Sequence, residues 1–529
     1  MSNADWWRGS VTYQIYPRSF QDSSGDGIGD LKGITSRLGH IADLGVDAIW
    51  LSPIFTSPMA DMGYDVADYT GIDPSFGTME DFEAMVTEAH RLGLKVIIDQ
   101  VLSHSSNQHP FFEQSRQSKD NDKSDWYVWA DPKMDGSAPN NWQAIFGGIA
   151  WEWEPRRKQY YFHNFLKEQP DWNFHNPEVQ DWLLGTMKFW LDKGVDGFRL
   201  DTVNFYFHDQ HLRDDPADFR KGVWPAVKPY DMQYHLFSKN QPENLVFLGK
   251  MRALLDQYDA RTLIGEVGES HHAIEIMGEY TSANRLHMAY SFEMLSPNFT
   301  PGHFRSQIDK FFSLAPEGWP CWAMSNHDVI RHVTRFAEHG ASQDAIAKLS
   351  AAMLLSFEGS VCIYQGEEVG QTETDIEFHE LTDPEGMTFW PEAKGRDGCR
   401  TPMVWEADAP YGGFSEVKPW LPVKAPQLSR AVDTQQGVEG SVLETYRALL
   451  KVRGTTPELR TGRTEFLKAQ QPVLGFIRGG AVLCVFNLSN EATEAEIPAT
   501  GDVLFQMESS VDGGKVTLGP NGALIARLA

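Results

Sequence analysis

Short apolar runs alternate with amphipathic stretches along the first 370 residues of this chain. Each run is a few residues long and ends in polar residues, which is typical of a buried strand. The amphipathic stretches include 79–92 and 177–193, whose apolar positions recur at helical spacing. The eight runs cover residues 11–16, 48–51, 95–98, 195–200, 262–265, 286–291, 321–325 and 361–364. Eight strands that alternate with helices predict an α/β fold whose parallel sheet closes into a (β/α)8 TIM barrel.

Two gaps in this alternation are too long for simple crossovers. Residues 104–174, rich in Trp, Asn, Asp and Pro, follow the third strand and predict an inserted subdomain. An excursion rich in Glu, Pro and Gly, 371–428, follows the eighth strand. The barrel is therefore assigned to 1–103 and 175–455. Residues 456–529 carry short alternating segments separated by turn signals, which predict a C-terminal antiparallel β domain of the sandwich type.

Composition and charge narrow the classes of function. The 529 residues are 41% apolar and carry a formal net charge of −27, so nucleic acid and anionic membranes are not expected as partners. No run of about 18 apolar residues predicts a membrane span, and the first residues lack the basic and apolar regions of a signal peptide. The four cysteines are scattered, with no CxxC spacing. We therefore expect reduced thiols and a cytoplasmic location.

Charged side chains cluster where the predicted strands end. Arg199 and Asp201 lie at the end of the fourth strand and point to the same side of it. Asp99, Glu266 and Asp328 follow the ends of the third, fifth and seventh strands. A single acid in such a place is most often a helix cap or part of a structural ion pair. Several of them at the carboxyl ends of barrel strands predict a catalytic site, because barrel enzymes carry their reactive groups there.

Paired carboxyl groups suit the cleavage of a glycosidic bond. One must be ionised to attack the anomeric carbon, and the other must stay protonated to donate a proton to the leaving oxygen. Asp201 is the expected nucleophile, because Arg199 beside it favours the ionised form. Glu266 has no cation in its immediate sequence and follows Ile-Gly. We therefore expect desolvation to raise its pKa and to make it the acid/base.

Five motifs carry a resemblance to a known family. They are Asp99-Gln-Val-Leu-Ser-His104, Gly197-Phe-Arg-Leu-Asp201, Gly265-Glu-Val267, Ser325-Asn-His-Asp328 and Gln169-Pro-Asp-Trp-Asn173. The first four resemble the conserved regions of the α-amylase superfamily of retaining glycoside hydrolases. The fifth is similar to the Gln-Pro-Asp-Leu-Asn signature of its oligo-1,6-glucosidase and α-glucosidase branch, and departs from it at Trp172. The resemblance covers nearly the whole chain.

The resemblance implies a role for each matching residue. Asp201 would be the nucleophile, Glu266 the acid/base and Asp328 the stabiliser of the transition state. The innermost glucose unit would be held by Arg199, His104 and His327. The pocket around its non-reducing end would be closed by Tyr64, Asp65 and Arg400. Aromatic walls would be formed by Phe146 and Phe165. Taken alone, any one of these His, Tyr, Arg or Phe residues would more often be an ordinary core or surface residue.

The loop Asp22-Ser-Ser24-Gly-Asp26-Gly-Ile28-Gly-Asp30 alternates oxygen ligands and predicts a site for one structural divalent cation, Ca²⁺ or Mg²⁺. It is not an EF-hand, because Gly33 stands where a bidentate Glu is needed. The family that it resembles has a similar metal loop after its first strand, usually with Asn in place of Ser24. The alternative is a turn capped by its own Asp side chains. The predicted ligands are Asp22, Ser24, Asp26, Ile28 and Asp30. No organic cofactor is expected.

The function implied by the resemblance is that of an exo-acting retaining α-glucosidase. Its expected substrates are maltose and short maltooligosaccharides, with sucrose as a further candidate, and transfer of the glucosyl unit is expected beside hydrolysis. Thr202 directly follows the nucleophile. Look-alikes that prefer α-1,4 bonds tend to carry Thr or Ala here and those that prefer α-1,6 bonds tend to carry Val, so we expect α-1,4 bonds to be preferred.

Three alternatives stay open at this stage. The first is an oligo-1,6-glucosidase. The second is a transfer-dominant relative of the sucrose isomerase or trehalose-forming type, although the Arg-Leu-Asp-Arg-Asp loop typical of sucrose isomerases is absent from the sequence. The third is a non-catalytic protein like the heavy chains of amino-acid transporters, which carry a membrane span and often a broken triad. A chain that lacks the span and keeps the triad favours an enzyme.

Overall fold

The computed structural model describes residues 3–220 and 225–529 and is built around an eight-stranded parallel sheet. Its strands, β1 to β8, are Val11–Ile15, Ala48–Leu51, Lys95–Gln100, Gly197–Leu200, Thr262–Val267, Met288–Ser291, Cys321–Ala323 and Ser360–Tyr364. The strand order is β6-β5-β4-β3-β2-β1-β8-β7. A parallel bridge between Ala289 of β6 and Pro320, just before β7, joins the two outer strands and closes the barrel. The predicted barrel is confirmed, and each apolar run overlaps one strand.

Eight longer helices follow the strands and bury their apolar sides in the core that they share with the sheet. They are Leu31–Leu44, Met79–Arg91, Pro177–Asp192, Asn244–Leu255, Ala273–Tyr280, Pro301–Leu314, Gln343–Leu354 and Val442–Thr455. Local chemistry sets their starts. Thr78 and Asp81 form a capping box that satisfies free N–H groups at the start of the second helix. Asn176 accepts a bond from the N–H of Glu178 and starts the third, with Pro177 at its first position.

The connections after β2 and β3 carry small sheets of their own. Strands Phe55–Thr56 and Asp68–Ile72 pair antiparallel after β2. The inserted segment contains helix Pro110–Ser115 and a three-stranded sheet of Trp129–Ala130, Gln159–Phe162 and Trp151–Glu154. A bridge between His104 and Asp171 holds the two ends of the insertion together.

Short helices occupy the remaining connections. The α-helical ones are His332–Arg335, Pro384–Phe389, Ala425–Leu428, Val432–Gln435 and Pro457–Thr461. The 3₁₀ turns are Asn3–Asp5, Pro17–Ser19, Pro229–Met232, Ala337–His339, Glu367–Val369, Phe378–Glu380, Asp397–Cys399 and Pro410–Gly413. None of the helices in the described ranges is both long and apolar enough to cross a membrane.

The C-terminal strands form one connected antiparallel sheet. They are Thr464–Phe466, Val473–Arg478, Val482–Asn487, Thr493–Glu496, Thr500–Asp512 and Lys515–Leu528. The last strand pairs with three others and organises the sheet. One face is packed around a cluster that includes Leu483, Val485 and Leu524, which matches the alternating pattern of this region.

Candidate active site

The inner face of the barrel changes from apolar to charged toward the carboxyl ends of the strands. Ile97 and Ile264 belong to the apolar cluster that fills the barrel interior. Asp99 and Glu266 come two residues later on the same strands, β3 and β5. Because side chains alternate along a strand, they point to the same side as the apolar pair. The alternation therefore places these carboxyl groups inside the barrel, directly above its apolar floor.

Arg199 joins three of the strand-end carboxyl groups. It is fully buried in β4, and its Nη1 lies 2.7 Å from Asp201 Oδ1 and 2.9 Å from Asp99 Oδ1. Its Nη2 lies 2.6 Å from Glu266 Oε2. A buried guanidinium requires such partners, because removing a charge from water is costly unless it is paired.

These contacts correct one sequence-based argument. Glu266 has no cation in its immediate sequence, in contrast to Asp201, but that contrast considers only neighbours along the chain. The parallel pairing of β4 with β5 places Arg199 within reach of both carboxyl groups. Proximity to a cation therefore does not distinguish the nucleophile from the acid.

Burial governs the protonation of the two facing carboxyl groups. It raises the pKa of Asp201 and of Glu266 to about 7, against the attraction of Arg199. The negative charge of Asp201 adds to the rise in the pKa of Glu266. The two groups therefore titrate as a pair. Near neutral pH the pair can hold one proton, which leaves one ionised carboxylate and one neutral acid.

Asp328 differs from this pair because it is held ionised. Burial favours its neutral form, but His327, Arg396 and Arg400 lower the pKa of Asp328 below its usual range. Arg400 Nη2 lies 2.9 Å and Arg396 Nη1 3.3 Å from its Oδ1. A fixed negative charge beside the pocket can stabilise positive charge that develops during a reaction.

A chain of hydrogen bonds fixes His327 and Tyr64. The amide of Gln14 lies 2.7 Å from His327 Nδ1, and His327 Nε2 lies 2.6 Å from the Tyr64 hydroxyl. The side-chain NH2 group of Gln14 can only donate, so His327 Nδ1 accepts and the imidazole proton lies on Nε2. The Tyr64 hydroxyl donates to Asp99 Oδ2 at 3.1 Å. The two rings are stacked at 5.4 Å between centroids. His104 lies beside them, with Nε2 at 2.8 Å from the Tyr64 carbonyl.

The carboxyl groups open into a cavity of about 410 Å³. Asp201, Glu266 and Asp328 all line it, and Thr202, Tyr64, His104, Phe146 and Phe165 do as well. Phe146 and Phe165 form an apolar cluster with Phe205 on one wall. A mixture of aromatic walls and a few polar groups is typical of a small-molecule site. The volume suits a ligand of one or two sugar rings.

Asp65 and Arg400 were expected to close the pocket together, but neither is among the residues that line the cavity. Both carboxylate oxygens of Asp65 are used within its own loop, by the Ser57 hydroxyl at 2.9 Å and by the N–H groups of Ala60 at 2.9 Å and Asp61 at 3.0 Å. Arg400 donates to the carbonyl of His327 at 2.8 Å and to Asp328. Asp65 is therefore a residue that shapes its loop, and Arg400 supports Asp328 from behind the cavity wall.

Asp61 and Arg396 occupy the place expected for that pair. Their side chains lie 2.8 Å apart, and both line the cavity. Each stands four residues before the predicted residue, in the same loop. The sequence showed two acids in one loop and two arginines in the other, but only the conformation of each loop decides which member faces the cavity. Asp383 completes the pairing, with its Oδ1 at 2.6 Å from Arg396 Nη2.

Thr202 lies on the floor of the cavity in the left-handed region, with φ of 37°. This conformation is unusual for a β-branched residue and is held by local contacts. Its N–H donates to Glu266 Oε2 at 3.1 Å, and its hydroxyl lies 3.3 Å from Asp201 Oδ2 and 3.2 Å from Ser103 Oγ. Thr202 thus contacts both members of the carboxyl pair.

Several cavity residues were not singled out from the sequence. Lys228 of the connection after β4 forms an ion pair with Glu385 at 2.7 Å, and both line the mouth. Lys239, also on that connection, lies 3.5 Å from Glu269 and is almost fully buried. These pairs join segments far apart in the chain, so no local pattern could have indicated them. From sequence alone, lysine and glutamate residues in such connections are ordinarily interpreted as solvent-exposed surface residues.

The acidic loop near the N-terminus is satisfied by its own hydrogen bonds. Asp22 Oδ1 accepts from the N–H groups of Ser24 at 2.9 Å and Gly25 at 2.8 Å, and Oδ2 accepts from Gly27 N–H at 2.9 Å and from the Ser415 hydroxyl at 2.6 Å. These donors outweigh burial and lower the pKa of Asp22. The other two acids behave alike. Asp30 accepts from Gly33 N–H at 2.7 Å, and Asp26 from Ile28 N–H at 2.9 Å.

This arrangement bears on the predicted cation. Within 3–220 and 225–529, no group of three or more His, Cys, Asp or Glu side chains is placed to hold a metal ion. The carboxylates of the loop accept from N–H donors, and the Ser24 hydroxyl turns to Asp22 at 3.2 Å. The observed contacts match the alternative, a turn capped by its own Asp side chains. The cation stays a prediction.

The fold and the site together define a barrel glycoside hydrolase, and comparison with known proteins agrees. Residues 14–462 match the family described as alpha amylase, catalytic domain. A probable alpha-glucosidase of Rhizobium meliloti (strain 1021) is 54% identical over 99% of this chain and 97% of its own length. An oligo-1,6-glucosidase of Heyndrickxia coagulans is 36% identical over 89% of both chains. This chain belongs to the α-amylase family.

Solved structures add a second kind of relative. An alpha-glucosyl transfer enzyme, XgtA, is similar with a TM-score of 0.95 and 50% identity over 99% of both chains. The trehalulose synthase MutB from Pseudomonas mesoacidophila MX-45 is similar with a TM-score of 0.88 and 32% identity, also over 99% of both. An alpha-glucosyl transfer enzyme and a trehalulose synthase thus share this fold over nearly the whole chain.

Proposed function

We propose that the protein is an exo-acting retaining α-glucosidase that hydrolyses and transfers terminal non-reducing α-glucosyl units of short oligosaccharides. One observation carries the proposal. A single buried guanidinium holds Asp201 and Glu266 at the base of one cavity, beside an ionised Asp328. Such a trio supplies a nucleophile, an acid and a fixed charge, which is the set that glycosidic bond cleavage with retention needs.

In the first step, an ionised Asp201 oxygen attacks the anomeric carbon as the bond from that carbon to the leaving oxygen breaks. Glu266 transfers its proton to the leaving oxygen, so the aglycone departs neutral and Glu266 becomes a carboxylate. Asp328 stabilises the positive charge that develops on the sugar ring. In the second step, Glu266 takes a proton from water or from an acceptor hydroxyl. That oxygen then displaces Asp201 and restores both carboxyl groups.

Exo action is supported by the closed side of the cavity. Asp61 and Arg396 form an ion pair in its wall, and both present groups that can hydrogen-bond sugar hydroxyls. We propose that this pair ends the pocket on its side, so that a sugar ring seated against it cannot extend further. We therefore propose that glucose is released one unit at a time and that starch is a poor substrate.

Transfer is a second activity of the same site. A solved relative with 50% identity and a TM-score of 0.95 is described as an alpha-glucosyl transfer enzyme. Transfer and hydrolysis share the first step and differ in whether water or a sugar hydroxyl accepts the glucosyl unit. We propose maltose, short maltooligosaccharides and sucrose as substrates.

The four cysteines are free and buried, which supports a reducing compartment such as the cytoplasm.

Product analysis tests this proposal directly. The protein is incubated in parallel with maltose, isomaltose, sucrose, trehalose and maltotetraose, with Asp201→Asn as the inactive control. We expect glucose and maltotriose as the first products from maltotetraose, and larger glucosides at high maltose concentration. Maltose as the first product from maltotetraose would contradict exo action. Absence of glucose release from every substrate would contradict the proposed function as a whole.

A further inference from the structure

The acid/base residue has a neighbour whose role is not explained by binding sugar. Tyr290 lies at the end of β6, and the parallel register pairs it directly with Glu266 of β5. Both side chains point into the barrel, and Tyr290 is 4% exposed. Tyr290 is not one of the described residues that line the cavity. A tyrosine in this place therefore acts on the carboxyl cluster and not on the ligand.

The hydroxyl of Tyr290 has one possible direction for its proton. It accepts from Arg199 Nε at 3.1 Å and from Arg199 Nη2 at 2.9 Å, and it lies 3.1 Å from Glu266 Oε1. A phenol oxygen has one proton to donate and accepts through its lone pairs. Because Arg199 can only donate, both of its bonds occupy those lone pairs. The proton of Tyr290 must then point at Glu266 Oε1.

The two oxygens of Glu266 are thereby made different. Oε2 receives Arg199 Nη2 at 2.6 Å and the N–H of Thr202 at 3.1 Å, so it is saturated with donors and is a poor place for a proton. Oε1 receives only the Tyr290 hydroxyl among the described residues. The catalytic proton therefore resides on Oε1, which is the oxygen left to meet the substrate.

We propose that Tyr290 is a positioning residue for the acid/base, which holds Glu266 so that Oε1 carries the catalytic proton toward the leaving oxygen. The inference rests on the proposed function, because it assumes that Glu266 is the acid. Tyr290 acts through Glu266 in both steps. It supports the carboxyl group while Oε1 gives up its proton, and it stabilises the carboxylate that results.

The sign of the pH effect follows from the direction of the hydrogen bond. A donor to a carboxylate stabilises the ionised form and lowers its pKa. Tyr290→Phe removes that donor, so the pKa of Glu266 should rise. The acid must be protonated for the first step, so the alkaline limb of kcat/KM should move to higher pH. A displacement of about half to one pH unit is expected from the loss of one such bond.

The experiment compares Tyr290→Phe with Tyr206→Phe. Tyr206 is equally buried, and its hydroxyl has no hydrogen-bond partner in the described part of the chain, so it controls for loss of a core hydroxyl. For Tyr290→Phe we expect kcat/KM on maltose to fall about tenfold. On an aryl glucoside with an activated leaving group, which needs no proton, the fall should be threefold or less. Tyr206→Phe should leave both substrates and the pH limb unchanged.

Two results would overturn the inference. One is an equal fall on both substrates with an unmoved alkaline limb, which would mark Tyr290 as a purely structural residue. The other is a shift of the limb to lower pH. Glu266→Gln, measured alongside, distinguishes failure of the role of Tyr290 from failure of the assignment of Glu266 as the acid. If Glu266→Gln spares the activated substrate and Tyr290→Phe does not, only the role of Tyr290 fails. If Glu266→Gln loses both substrates equally, the acid assignment itself fails.

Discussion

Two acidic clusters in this molecule differ in what surrounds them. In the first, Asp99, Asp201 and Glu266 share one buried guanidinium, and the last two open into a cavity. In the second, Asp22 and Asp30 accept hydrogen bonds from the N–H groups of their own loop. The catalytic cluster turns carboxyl groups toward a cavity, whereas the loop cluster uses its oxygens to hold its own turn. The functional cluster is distinguished by carboxyl groups that face a cavity, and not by the presence of acidic residues alone.

The largest contrast between the clusters should come from the same substitution made in each. Asp201→Asn removes the nucleophile, and turnover of maltose should fall by about 10⁴-fold or more. Asp26→Asn in the loop removes one exposed acceptor and should leave turnover within about twofold of the wild type. Steady-state kinetics at one pH check both, and circular dichroism shows that both variants are folded. Comparable losses in the two variants would remove the distinction between the clusters.

Within the catalytic cluster, Glu266→Gln should sharpen the division of roles. An amide cannot donate a proton to the leaving oxygen, so kcat/KM on maltose should fall by about 10²- to 10⁴-fold. Formation of the glucosyl-enzyme from an activated aryl or fluoride glucoside should survive, because that leaving group departs without a proton. A pre-steady-state burst measures it. Loss of the burst would show that Glu266 does more than transfer a proton.

Thr202 tests a finer property of the same cluster. We propose that its hydroxyl helps to make α-1,4 bonds preferred over α-1,6 bonds. Thr202→Val keeps the volume and removes the hydroxyl, a change worth about 1 kcal/mol or a few-fold in selectivity. The ratio of kcat/KM for maltose to that for isomaltose should exceed one in the wild type and fall several-fold in the variant. An unchanged ratio, or isomaltose as the better substrate of the wild type, would refute this.

The smallest effect on turnover is expected from the loop. Asp22→Asn disturbs five hydrogen bonds to the carboxylate, so unfolding should become easier by about 1–3 kcal/mol and Tm should fall by several degrees. Because the pKa of Asp22 is lowered in the folded state, this stability is present above its unfolded pKa and is lost as the pH falls. Turnover at moderate temperature should stay within about twofold.

The same measurement decides whether the loop binds a cation. If the predicted Ca²⁺ or Mg²⁺ is bound there, a chelator should lower Tm of the wild type and leave that of Asp22→Asn unchanged. If the loop is only a turn capped by its own side chains, the chelator should have no effect on either. An immediate loss of turnover that metal restores, without a change in Tm, would contradict both readings, because it would place a metal in the chemistry.

The sequence predicted the barrel well because its signal is local. Each strand is a short apolar run, each helix an amphipathic stretch, and the strand ends of a closed barrel must meet at one mouth. The same rule brought Asp201, Glu266 and Asp328 together. What it missed depends on contacts across strands or on loop conformation. Arg199 reaches Glu266 only through the pairing of β4 with β5.

The two pocket loops show the same limit in another form. Asp61 and Asp65 lie four residues apart in one loop, and their sequence context does not say which of them faces the cavity. The conformation does, since the N–H groups of Ala60 and Asp61 turn toward Asp65 and occupy its carboxylate. The motif resemblance therefore located the pocket wall to within four residues, and the hydrogen bonds of the loop show that Asp61 is the residue that faces the cavity.

Trapping the covalent intermediate tests the central claim most directly. A fluorinated glucosyl fluoride, which forms the glucosyl-enzyme faster than it is hydrolysed, is added to the protein, and the digested peptides are analysed by mass spectrometry. We predict one glucosyl label, on the peptide that contains Asp201, and no label in Asp201→Asn. A label on Glu266, or turnover of the reagent with inversion and no labelled peptide, would contradict the assignment of the nucleophile and the proposed double displacement.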